Sequence, residues 1–171
     1  MEIMKTVCEL MALSARTAPK ARGKDFIETR VIVGQDVASL GEAMIKYGRE
    51  TGKSSFERDG SNLLNSSAVL LVALKDPAVA GLNCGACGYP TCNELPPAVP
   101  GAEFAGPWCA WRIADLGVAL GSAAKTASLH NVDNRIMYSV GVLARKLGLV
   151  QGQIAVGIPV SATGKSIYFD R

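Results

Sequence analysis

An α+β fold in a single domain spanning residues 1–171 is predicted by three observations. Segments with strand character, Phe26 to Val33, Ser67 to Leu74 and Gln153 to Val160, alternate with stretches whose apolar residues recur at helical spacing. The 35 residues from Asp76 to Ala110 hold six of the eight prolines and five glycines, and so form a long inserted loop. At 49% hydrophobic and 19% charged residues, the chain can bury a sizeable core without covalent staples.

The first element is a helix with Ile3, Val7, Leu10, Met11 and Ser14 on one face, ended before Pro19. Cys8 sits on or beside that stripe and reads as a small buried hydrophobe. Phe26 to Val33, rich in β-branched and aromatic residues, is the first strand. Asp36 caps a second helix carrying Leu40, Ala43, Met44 and Tyr47, which fades near Gly52. Ser54 to Ser66 has no decisive pattern. Ser67 to Leu74 is a continuous apolar run, as a central strand buried on both faces requires. After the loop, Trp111 to Ser128 is rich in Ala and Leu with few charges and reads as a helix buried on most sides. Asn131, Asp133 and Asn134 make a turn and a cap for a helix running to about Leu147, and Gln153 to Val160 is the last strand.

The loop carries the chemistry. Cys84, Cys87, Cys92 and Cys109 are spaced C-x2-C-x4-C-x16-C in a chain with only one other cysteine. Cys84 and Cys87 lie within one turn, and Gly88-Tyr89-Pro90 can reverse the backbone toward Cys92. Three clustered thiolates and one remote one suit a [4Fe-4S] centre, and Gly85 and Gly88 suit a backbone wrapped closely around it. Such a cluster is also a physical tie for a loop too long to stand unsupported in a compact domain. No Lys or Arg lies between Lys75 and Arg112, which leans toward a low-potential centre. Tyr89, Phe104, Trp108 and Trp111 are placed to shield the site from water. Structural zinc is the main alternative, although it favours two C-x2-C knuckles where this chain has one. Disulfides and free buried thiols are the others.

The stretch from Cys84 to Cys92, with Cys109 after it, resembles the four-cysteine domain of Rnf-type electron transport complexes and corrinoid iron-sulfur proteins. That resemblance implies one [4Fe-4S] cluster on these four cysteines. Residues 12–33 resemble the first helix, loop and strand of nitroreductase-type flavoproteins, and Ala144 to Pro159 resembles their last helix and strand. The two resemblances together match a group of small prokaryotic proteins described as containing a ferredoxin domain. They imply a nitroreductase-like sandwich of helices around a small sheet, FMN as a second cofactor, and a homodimer. By the same resemblance Arg16 and Lys165 match phosphate-binding positions, while the residues themselves offer Arg16, Lys20, Arg22 and Lys165 as cations for a phosphate.

Other classes find no support. A net charge of +3, dispersed along the chain, argues against nucleic acid and an acidic membrane surface. Glu2, Lys5 and Glu9 break the apolar N-terminus, so no signal peptide is expected and the expectation is a cytoplasmic protein. Ser161 to Ser166 superficially resembles a P-loop but has the wrong spacing. His130, the only histidine, has no metal-spaced partner and reads as a cap or surface residue. The expected function is an oxidoreductase or electron-transfer protein passing single electrons to a flavin, a partner protein or a small-molecule acceptor. The competing classes are a non-enzymatic cluster-bearing interaction module and a zinc-stabilised structural domain.

Overall fold

Seven consecutive apolar residues have no polar side to turn toward water, so Ala68–Leu74 can be a strand only if both its faces are covered. The structure, a computed structural model, describes residues 2–169 and covers both. In chain order the elements are α1 (Glu2–Thr17), β1 (Ile27–Val33), α2 (Gln35–Thr51), α3 (Ser54–Leu64) and β2 (Ala68–Leu74). There follow the two-residue strands β3 (Val99–Pro100) and β4 (Ala105–Gly106), α4 (Ala110–Leu129), β5 (Asp133–Asn134), α5 (Tyr138–Lys146) and β6 (Ile154–Ser161).

Strands β1, β2, β6 and β5 form one sheet in that order, with every pairing antiparallel. Successive side chains of β2 point to opposite faces. Ala68, Leu70, Val72 and Leu74 pack with Val7, Met11, Leu116 and Ala123 of α1 and α4. Val69, Leu71 and Ala73 pack with Leu40, Phe56 and Val140 of α2, α3 and α5. The result is the expected sandwich of helices around a small sheet.

Several local expectations are corrected. The buried stripe of α1 is Val7, Cys8, Met11 and Ala15, while Ile3 is 64% exposed, because the helix is turned slightly from the anticipated face. Cys8 is fully buried, and burial pushes its thiol up to about 12, in keeping with a core role. Residue Gly34 occupies the cap of α2, and Asp36 lies in the first turn, where a carboxylate favours the helix dipole. The ambiguous segment is α3. It was hard to read because its contact with α2 runs through backbone: a Cβ on Gly60 would stand 2.7 Å from the Gly41 carbonyl oxygen. Asp133 and Asn134 pair with Ser161 and Val160 as β5, and Met137 occupies the cap position of α5. His130 is the exposed C-cap of α4. Helix α4 is buried on one side only, with Ile113 40% and Val118 44% exposed on the other. Among the described residues, no helix is long and apolar enough to cross a membrane.

Candidate metal centre

Between β2 and α4 the chain has little regular structure, so side chains and isolated hydrogen bonds must hold it. At its start, Asp76 and Gln153 exchange two hydrogen bonds: the Asp76 N–H donates to Gln153 Oε1 at 2.9 Å, and Gln153 Nε2 donates to Asp76 Oδ1 at 2.7 Å. Farther along, the Lys53 ammonium meets Glu103 Oε1 at 2.6 Å, and Arg145 donates to the Glu103 carbonyl at 3.2 Å.

Arg112 makes the central tie, with no side-chain exposure. Its Nε donates to the Ala78 carbonyl at 2.8 Å, and its Nη1 donates to the Ala21 carbonyl at 2.9 Å and to Asp115 Oδ2 at 2.8 Å. The guanidinium lies 4.8 Å from the centre of the Phe26 ring, and Asp115 Oδ1 accepts the Ala21 N–H at 2.7 Å. One buried pair thus joins the α1–β1 loop, the run-in to Cys84, and the first turn of α4. Asp115 balances the Arg112 charge, so this cation does not simply add positive potential beside Cys109.

Around this frame Cys84, Cys87, Cys92 and Cys109 all line one pocket of about 270 Å3, its open mouth included. Tyr89 and Trp111 line it as well; Phe104 packs against the core instead, and the Trp108 indole donates to the Ala105 carbonyl at 2.6 Å. Gly85 (φ 72°) and Gly88 (φ 90°) adopt the left-handed backbone that lets Gly88 N–H close a turn onto the Gly85 carbonyl at 2.9 Å. Cys109 caps α4, so it sits at the positive end of a 20-residue helix whose first N–H groups have no intrahelical partner. Among the described residues, no three His, Cys, Asp or Glu side chains stand close enough to grip a single metal ion.

The surroundings of the thiols fit sulfur that carries negative charge. The Trp111 indole N–H donates to Cys84 Sγ at 3.3 Å, and the Asn83 N–H donates to Cys92 Sγ at 3.3 Å. The Ala86 N–H, and after it Trp111, hold the Cys84 thiol below its ordinary value. Asn83 also accepts the Cys92 N–H on its side-chain oxygen at 2.9 Å, which clamps the two ends of the cysteine turn together. Sequence reasoning missed Asn83 and Arg112. An Asn directly before the motif was the available signal for the first, since Asn tolerates the φ of 48° found there.

The anticipated phosphate cations do not gather in one chain. Arg16 donates to the Ile27 carbonyl at 2.8 Å and pairs with Asp25 at 3.1 Å, beside the Ile27–Leu74–Ile154 end of the sheet. The Lys20 ammonium caps α1, donating to the carbonyls of Ala15, Arg16 and Ala18, and burial holds it below its usual value. Arg22 lies in the same loop with φ 56°. Lys165 lies beyond β6 at the opposite end, where Tyr168 meets Ser66 at 2.9 Å. A strand of seven residues, about 20 Å, separates the two ends.

Comparison with known proteins gives the following. A family model described as "Uncharacterized protein containing a ferredoxin domain" matches residues 105–171, and a model described as "Putative Fe-S cluster" matches residues 80–99. An uncharacterized protein of Archaeoglobus fulgidus is 43% identical over 171 residues, covering 99% of this chain and 92% of its own. Among solved structures, an oxidoreductase containing FMN superposes with a TM-score of 0.58 at 17% identity, over 92% of this chain and 66% of that one. This chain therefore spans just under two thirds of that protein. The FMN-dependent nitroreductase NfnB from Mycobacterium smegmatis superposes with a TM-score of 0.61 at 11% identity, over 95% and 80%. The fold is nitroreductase-like.

Proposed function

Because the chain belongs to the family of uncharacterized proteins containing a ferredoxin domain, we propose that it is a redox protein holding one [4Fe-4S] cluster on Cys84, Cys87, Cys92 and Cys109, and that it passes single electrons to a partner. The observation that carries this reading is that four thiols share one pocket with N–H donors aimed at sulfur. When bound, the cluster supplies reversible one-electron chemistry. The chain's own part is to hold four thiolates, to offset their charge with the N–H groups of Asn83, Ala86 and Trp111, and to fix Cys109 at the start of α4. Tyr89 and Trp111 keep water from part of the pocket.

Protein purified without oxygen is expected to contain about four iron and four labile sulfide per chain, with a broad absorption band near about 400 nm. Stoichiometric zinc with neither iron nor sulfide would defeat the proposal.

Similarity to FMN-containing structures favours a second reading, in which a flavin is also bound. Within one chain Arg16 is paired with Asp25 and stands at the other end of the strands from the β6 terminus that leads to Lys165, so these two residues do not converge on one phosphate. Structured flavin bands in the same spectrum test that reading.

The outer face of α4 supports a homodimer. Ile113, Ala114, Gly117, Val118 and Gly121 are exposed there without an intervening charge, and a second copy of the chain would cover them. Sedimentation is expected to give twice the 17.9 kDa chain mass, and Val118→Glu is expected to halve it. A wild-type protein that sediments as a single chain removes the dimer.

A further inference from the structure

Among the described residues, Trp111 is the only side chain that donates a hydrogen bond to any of the four pocket cysteines. It stands in the first turn of α4, two residues after Cys109, and helical side chains lean back toward the N-terminus. Its ring is thereby carried over the pocket, with Nε1 3.3 Å from Cys84 Sγ. Trp111 itself remains 44% exposed. The other tryptophan, Trp108, spends its N–H on the Ala105 carbonyl and does not line the pocket.

We infer that Trp111 is a positioning residue that sets the reduction potential of the centre through its N–H to Cys84. The inference rests on the [4Fe-4S] reading above and deepens it. Reduction adds one electron and breaks no bond, and part of the added negative charge is carried by the ligating sulfurs. A donor held against one of those sulfurs stabilises the reduced form more than the oxidised form, which raises the potential. Phenylalanine keeps the aromatic cover and removes only the donor.

The test is an oxygen-free redox titration, with dithionite as reductant, of wild type and Trp111→Phe, with iron and sulfide measured on both. The expected result is equal iron and sulfide and a more negative midpoint for the variant, so that at the wild-type midpoint less than half of the variant is reduced. Equal content with an unchanged or more positive midpoint overturns the inference and leaves the cluster assignment standing. A wild type without iron and sulfide overturns both. Should the variant fail to retain iron, the wild-type holoprotein decides: with 15N-indole tryptophan and dithionite reduction, the Trp111 N–H resonance is expected to be shifted by the paramagnetic centre, and further than the Trp108 resonance. Two ordinary resonances would reject the role.

Discussion

Arg112→Met is expected to lower stability by about 3–5 kcal/mol, because it leaves the Asp115 carboxylate without its cation in a place where water reaches little of it. Two further acceptors, the carbonyls of Ala78 and Ala21, lose their donor in the same step. For a domain of this size that corresponds to a fall in melting temperature on the order of 10 °C. Removing both charges, in Arg112→Met with Asp115→Leu, is expected to recover only part of the loss, since those carbonyls and the Ala21 N–H stay unpaired. Urea unfolding distinguishes the cases. A single variant within about 1 kcal/mol of wild type would show that water or a shifted backbone replaces the guanidinium.

Gly141→Ala is expected to cost as much by a different route. Helix α5 lies directly on β6: a Cβ built on Gly141 would stand 1.8 Å from the Ala155 carbonyl oxygen and 2.5 Å from the Val156 nitrogen. A Cβ on Gly157, across the same contact, would stand 2.2 Å from a methyl of Val140. Both neighbours of Gly141 are backbone atoms of β6, where Ala155 and Val156 pair with Ala73 and Val72 of the central strand β2, so neither can yield without disturbing the sheet. Overpacking in a well-filled core costs typically about 1–3 kcal/mol and more where backbone must move, so a loss at or above the top of that range is expected. The contact is on the face away from α4, so iron content of the surviving folded protein should be unchanged. A melting temperature within about 2 °C of wild type would mean that α5 is free to lift from the sheet.

Much of this architecture was legible beforehand, and the exceptions have definite causes. β2 could be read because seven apolar residues leave a strand only one kind of environment. The helix α3 could not: its only large buried apolar residues are Phe56 and Leu63, and it meets α2 through Gly60 against Gly41, a pair that carries no hydrophobic signal. Asp133 and Asn134 read as a turn because both favour turns locally, yet β6 offers them a strand partner, and a distant ladder outweighed local preference. The face of α4 that meets no other element among the described residues read as buried surface, since an apolar pattern on a helix does not say whether anything covers it.

The candidate centre divides in the same way. Spacing, glycine placement and the absence of charge belong to the chain as written, and they point to four thiols that the structure brings to one pocket. Which groups touch those sulfurs, and which cations fail to meet, depends on how distant segments are registered. Arg112 bridges residues 21, 78 and 115, and Arg16 and Lys165 lie toward opposite ends of the strands. Local sequence sets what a side chain can donate or accept, whereas the partner it finds is chosen by strand pairing and helix packing across the whole molecule.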